Sequence, residues 1–159
     1  MADITVDGTT RVAYVPAIAN NAAPTTTELN AGILLQSILT VDGLMGFEAD
    51  TQPVDTTSLA STFNTKNIGR DDFSNTVLQL KKQASGDTAY TTLVRGTQGY
   101  IVVRRYIAES TAWTSGQAVE VYPIVCAQTK YITPAANEVA KYQVPVMISL
   151  PPTLRAAIA

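Results

Sequence analysis

Few side chains in this sequence could do chemistry. It contains no His and a single Cys, Cys126. Serine- and cysteine-based triads and zinc sites built from His and Cys all need residues that one chain of this composition lacks, so those routes are excluded. Carboxylate pairs and a Ser/Lys dyad remain, and neither has a recognisable local arrangement. Asp71 and Asp72 are adjacent; on a strand such neighbours diverge, at a turn they are usually solvated or capping, and an oxygen-only metal site would want more ligands. Lys81–Lys82 and Arg104–Arg105 are short basic runs without interleaved aromatics, the pattern of a strand end or a solvated face rather than of phosphate recognition. Gly96 and Gly99 stand after a helical pattern and before a strand, whereas a dinucleotide fingerprint needs strand, glycine loop and helix in that order. Cys126 lies in an apolar run with no basic neighbour and reads as a small core or interface residue. Trp113 and Tyr100 read as packing residues. The expectation is a protein without catalytic residues, cofactor or metal.

The elements that would carry these residues are mostly strands. The chain's 159 residues suit one domain, 1–159, able to bury a core without staples. Apolar content of 46% argues against bulk disorder, and 22 Thr lean the surface towards β structure. A formal net charge of −2 offers no broad attraction to phosphate backbones. No basic segment followed by an apolar run occurs in Met1–Asp7, and no apolar stretch reaches the roughly 18 residues of a membrane span. The expectation is a soluble protein made in a reducing cytoplasm, or released from one.

Ile4–Val6 and Val12–Val15 read as two short strands about the turn Asp7–Gly8, with Pro16 ending the second. Thr25 with Glu28 three residues on is a capping box for a short helix that Gly32 stops. Ile33–Leu35 with Ile38–Leu39 is too brief to assign by period, and Asp42–Gly43 reads as the turn that closes it. Glu48–Asp72 is polar and Thr/Ser-rich, with Val54, Leu59, Phe63 and Ile68 as its large apolar residues. It is too long for an ordinary connection, so a functional extension or protruding hairpin is expected there.

Val77–Leu80 reads as a strand, Asp87–Arg95 as a capped amphipathic helix of about two to three turns, and Gly99–Val103 as a strand that sends Arg104 and Arg105 to opposite faces. Ala108–Gly116 is a turn region around Trp113. In Gln117–Thr129 the face of Val119, Val121 and Val125 is core, and that of Glu120, Tyr122, Ile124, Cys126 and Gln128 is mixed. In Val139–Leu150 the alternation is cleaner, Ala140, Tyr142, Val144, Val146, Ile148 and Leu150 opposing Lys141, Gln143, Pro145, Met147 and Ser149. That is a half-buried strand of about twelve residues. Pro151–Pro152 ends it, leaving a short tail.

In this order of elements the chain resembles the bacteriophage major tail tube proteins. The likeness is carried by Ala23–Thr25 with Glu28–Gly32, by Phe47–Thr51 leading into Val54–Gly69, by Asp87–Arg95 followed by Gly96–Arg104, and by the two closing strands. It implies a mainly β fold, a β-sandwich or partly closed barrel with one flanking amphipathic helix and a long protruding loop or hairpin, here Glu48–Asp72. It further implies six copies per ring, rings stacked into a hollow tube through which DNA passes unbound, and an arm that reaches the neighbouring ring, with Val54, Leu59, Phe63 and Ile68 as contacts. The N-terminal strands and the Pro151–Ala159 tail would add contacts between rings. Tape-measure and tail-end proteins are the other partners, and the virion is the location. If the last long strands line the channel, Glu120, Gln128, Lys141, Gln143 and Ser149 are candidates to face it, Lys130 and Lys141 then needing acidic neighbours. Two other assemblies fit the same pattern: a tail completion or baseplate ring protein, and the inner tube of a contractile tail or injection device. A small-ligand-binding β-barrel, or an enzyme using carboxylates alone, is the reading from another class.

Overall fold

A computed structural model describes residues 1–159. The β-branched and aromatic runs pair into one mainly antiparallel sheet. Its strands are β1 (Arg11–Val15), β2 (Ile33–Leu34), β3 (Leu39–Met45), β6 (Val77–Lys81), β7 (Gln98–Arg104), β8 (Ala118–Cys126) and β10 (Lys141–Ile148), in the spatial order β2-β1-β7-β8-β10-β6-β3. β9 (Lys130–Tyr131) adds to β10, and β11 (Thr153–Ala157) adds to β8. β4 (Asp50–Asp55) and β5 (Lys66–Asp72) form a separate two-stranded sheet. Two helices of five residues each complete the fold, α1 (Thr26–Asn30) and α2 (Thr88–Thr92). The large sheet curls into a half-barrel, so of the two expected architectures the partly closed barrel is the nearer.

Curling gives the sheet two buried sides. The concave side holds Val12 and Tyr14, Leu78 and Leu80, Ile101 and Val103, Tyr122, Ile124 and Cys126, and Tyr142, Val144 and Val146. The convex side holds Ala13, Val15, Val102, Val119 and Val121, covered by Leu29 of α1, Trp113 and Ile158. Each of β1, β7 and β8 therefore has apolar residues on both faces, as strands buried on both sides must. This explains why the mixed face expected of β8 is a core face: Tyr122, Ile124 and Cys126 lie beneath the half-barrel. Prolines fall where a ladder changes partner. Pro123 separates the part of β8 paired to β10 from the part paired to β11, where a missing N–H costs no ladder bond.

Several expectations need correction. Ile4–Val6 is not a strand: it has no neighbour to pair with, and Ile4 and Val6 stay exposed. Asp42–Gly43 is not a closing turn but lies within β3, where the register with β6 shifts between Leu39 and Leu44. Gly43 is required there because a Cβ would come within 2.6 Å of the Gln79 carbonyl. α2 makes little more than one turn: Asp87 caps it through Tyr90 N–H, and the chain leaves helical geometry at Leu93, φ −83° and ψ 64°. The last long strand is eight residues, not twelve. The tail beyond Pro152 is a strand, β11, whose Ala156 is buried in the convex core together with Ile158 just beyond it. The Thr25 capping box is present in full.

Candidate assembly surfaces

The segment Glu48–Asp72 is a protruding hairpin. Register runs from Asp50 opposite Asp72 at its root to Asp55 opposite Lys66 near its tip, with an irregularity between Thr51 and Pro53. Pro53 cannot donate to a ladder, which accounts for the irregularity. Gly69 is needed opposite it, since a Cβ would meet the Gln52 carbonyl at 2.4 Å. Every residue of β4 and all but Gly69 of β5 are exposed. A lone two-stranded hairpin is marginal in water, and this one is ordered at its tip by backbone and hydroxyl hydrogen bonds. Thr56 N–H donates to the Thr65 carbonyl at 3.0 Å, Thr65 N–H to Thr57 Oγ1 at 3.0 Å, and Phe63 N–H to Ser61 Oγ at 3.1 Å. The hydroxyl and then the backbone N–H of Thr57 also hold the Asp55 carboxyl below its usual pKa.

The four apolar residues expected on the arm all face solvent. Leu59 and Phe63 are 106% and 74% exposed, Ile68 and Val54 80% and 48%. Ile68 pairs with Pro53 and Val54 with Asn67, so they occupy opposite faces of the hairpin. The arm's charges have no ion-pair partner: Asp50 stands directly across from Asp72, none of the chain's three ion pairs involves Lys66, Arg70, Asp71 or Asp72, and the carboxylates of Asp50, Asp71 and Asp72 accept only from Gln52, the Thr51 hydroxyl and Phe73 N–H.

At the arm's root is a cleft of about 550 Å³, walled by Phe73, Ile148, Leu150, Pro152 and Leu154 and edged by Arg70–Asp72. Leu150 and Leu154 are 58% and 47% exposed.

The five residues proposed to line a channel are not brought onto one surface. Glu120 is on the concave side, where its carboxylate accepts from Arg105 Nε at 3.2 Å and from the Tyr122 hydroxyl at 2.9 Å. Burial, then the adjacent Glu120 charge, pushes the Tyr122 pKa well above its normal value. Lys141 and Gln143 lie on the outer face of β10, opposite the buried Tyr142 and Val144. Gln143 Nε2 donates to Gln79 Oε1 on β6 at 3.1 Å, and Lys141 pairs with Glu138 at 3.2 Å. Lys81 is the cross-strand partner of Lys141, and Lys130 of Gln143; neither Lys81 nor Lys130 has an ion-pair partner. Gln128 is exposed beyond the end of β8, and Ser149 lies in the root cleft. Gln79, the partner of Gln143, is not among the sequence candidates, although the alternation of Val77, Gln79 and Lys81 against Leu78 and Leu80 carries it.

The convex side holds one arrangement no local motif announced. Arg11 and Arg104 are directly opposed on β1 and β7, a like-charge pairing that destabilises a sheet unless offset. Trp113 offsets it, with the two guanidiniums 4.9 and 5.2 Å from its ring centre. Arg11 donates to the carbonyls of Glu109 and Thr111, and Arg104 to those of Ala108 and Ala112 and to Gln117 Oε1. Together they tie loop 105–117 to the sheet. Burial, then the Arg11 charge, lowers the Arg104 pKa. Cys126 is buried and its thiol is pushed up to about 11 by burial, far from the thiolate range of a reactive cysteine.

No three His, Cys, Asp or Glu side chains gather into a group that could hold a metal ion, and no helix is long and apolar enough to cross a membrane. No curated protein sequence is similar to the chain. Among solved structures, a chain in the 6-fold symmetrised cryo-EM structure of the anti-feeding prophage baseplate shares its fold: TM-score 0.66 at 8% identity, over 98% of each chain. The family model described as phage tail tube protein matches residues 1–159. The chain therefore belongs to the phage tail tube protein family and is a structural component of a phage tail.

Proposed function

We propose that this protein assembles into stacked hexameric rings that form the hollow tail tube through which phage DNA passes. The observation that carries the reading is the arm: an ordered hairpin that exposes Val54, Leu59, Phe63 and Ile68 while the body of the same chain buries two cores. An apolar group that stays in water on a preformed projection gains only by meeting another surface. Burying Leu59 and Phe63 at a neighbouring copy would contribute roughly 1.5 to 3 kcal/mol each, repeated at every copy. Open edges at β2 and β3 give the sheet two further places to join its neighbours, and ring closure would remove them.

In this arrangement the outer face of β6 and β10 turns to the channel and presents Gln79, Gln143 and Lys141. Paired amides and a lysine tied to Glu138 make this wall polar, while Lys81 and Lys130 beside them have no ion-pair partner within the chain and leave it mildly cationic, so passage of a polyanion along it would depend on salt. Glu120 serves within the subunit as the acceptor for Arg105 and Tyr122. Tape-measure and tail-end proteins are the other partners. The role is mechanical and not catalytic.

The fold shared with the anti-feeding prophage baseplate chain favours one second reading, a baseplate ring or the inner tube of a contractile injection device. Assembly separates the baseplate ring from either kind of tube: a tube subunit polymerises openly, whereas a baseplate component stops at one ring. The test is negative-stain electron microscopy of purified protein over a range of concentrations, with light scattering on the same samples. Hollow tubes or stacked six-fold rings are expected, single closed rings would move the assignment to the baseplate, and a monodisperse monomer at all concentrations would refute self-assembly. Phe63→Ala should leave the monomer folded and shorten the tubes; tubes of unchanged length and salt resistance would remove the arm from the interface.

A further inference from the structure

We propose that the cleft at the arm's root is the receptor for the arm tip of a second copy of this chain. The inference rests on the reading that the arm makes inter-subunit contacts, and goes beyond it by naming the surface the arm enters.

Three observations fit tip to root. The first is shape and polarity. The tip presents Leu59 and Phe63 on a loop pre-ordered by Thr56, Thr57, Ser61 and Thr65, and the root offers a cleft of about 550 Å³ walled by Phe73, Ile148, Leu150, Pro152 and Leu154. A pre-ordered knob that meets a preformed cleft, apolar along one wall and charged along its rim, loses little conformational freedom on docking.

The second is charge. Asp55 and Lys66 sit side by side where the strands enter the tip, and Arg70, Asp71 and Asp72 rim the cleft. No ion pair joins any of them within the chain. A tip docked in a cleft can set Lys66 against Asp71 or Asp72 and Asp55 against Arg70. That also relieves the direct opposition of Asp50 and Asp72.

The third is reach. β4 and β5 are six and seven residues long, which at about 3.3 Å per residue holds the tip roughly 20 Å from its own root. The chain cannot fill its own cleft, and a second copy can. Because tip and root are different surfaces, the contact is heterologous. Each copy gives one tip and receives another, and the interaction propagates instead of ending at a pair.

The test is disulfide trapping of assembled protein. The native Cys126 is buried and stays silent. Phe63→Cys combined with Leu150→Cys, assembled and then oxidised with copper–phenanthroline, should give a ladder of dimers, trimers and longer chains on a non-reducing gel. Each single variant should give monomer. Assembled double variant that stays monomeric overturns the proposal, and dimers from Phe63→Cys alone overturn it in favour of tip-to-tip contact. In parallel, Leu154→Glu should raise the concentration needed for assembly about tenfold with unchanged circular dichroism, while Tyr131→Glu, an exposed site on β9 away from the cleft, should not. If Phe63→Ala weakens assembly but Leu154→Glu does not, the arm reading stands and the receptor assignment fails. If neither changes assembly, the arm reading itself fails.

Discussion

Arg104 and Arg105 are neighbours in sequence, and replacing each by Ala should have very different consequences. Arg104 is fully buried, donates three hydrogen bonds, to Ala108 O, Ala112 O and Gln117 Oε1, and stacks on Trp113. A hydrogen bond from a charged donor contributes about 1.5 to 3 kcal/mol, and a desolvated guanidinium on an indole face about 2 kcal/mol. Two of the acceptors lie on exposed residues that recover water, and removing one arginine relieves its repulsion with Arg11, so the sum is reduced. Arg104→Ala should destabilise the fold by about 3 to 5 kcal/mol, roughly 8 to 16 °C in Tm for a domain of this size. Arg105 forms an ion pair with Glu120 whose partners are 36% and 26% exposed, so Arg105→Ala should cost only about 1 kcal/mol. Urea unfolding followed by fluorescence reports directly, because the single Trp is the residue Arg104 stacks against. It should be run at several protein concentrations so that association does not add to the apparent stability. Equal effects for the two variants, or a loss below about 1 kcal/mol for Arg104→Ala, would refute the account of the Arg11–Trp113–Arg104 stack as the anchor of loop 105–117.

Burial acts to raise the Asp87 pKa, but the bonds from Gln83 N–H, Lys82 and Tyr90 N–H outweigh it and leave the carboxyl below its ordinary value. A depressed carboxylate adds stability that is present above the unfolded pKa and is lost as pH falls through the folded one. Thermal melts between pH 6 and pH 2 should therefore fall more steeply for the wild type than for Asp87→Asn, and parallel curves would exclude the role. Gly99→Ala would place a Cβ 2.5 Å from the Tyr14 ring, so it should cost about 1 to 3 kcal/mol in urea denaturation; a neutral result would mean that Tyr14 moves freely despite its bond to the Gln98 carbonyl at 2.8 Å. The Cys126 thiol, buried and with a pKa pushed up to about 11, should react with Ellman's reagent at pH 8 only on unfolding, and rapid native-state labelling would contradict its place in the concave core.

Local chemistry made much of this protein legible before its fold was known. A capping box acts over three residues, so Thr25 and Glu28 announced α1. Alternation acts over two, so β10 and its buried Tyr142, Val144 and Val146 were readable. The length and polarity of Glu48–Asp72, with four isolated large apolar residues, marked an arm because such a stretch cannot make a core of its own. The absence of His and the lone Cys removed whole classes of chemistry at once.

Tertiary structure decided what depends on a partner distant in sequence. Ile4–Val6 and the Thr153–Ala157 segment are both short alternating or apolar runs, yet only the second becomes a strand, because the free edge of β8 is there to receive it. Asp42–Gly43 spells a turn, but β6 pairs across it and makes it a bulge within β3. Glu120 and Gln143 looked alike as polar residues on alternating strands; the curl of the sheet puts one beneath the half-barrel and the other outside it. Arg104 looked like half of a solvated basic pair until Trp113 and three acceptors in loop 105–117 closed over it. Period and propensity are properties of neighbouring residues and survive in the sequence. Burial, charge compensation and strand pairing are settled by groups that only the folded chain brings within a few ångströms.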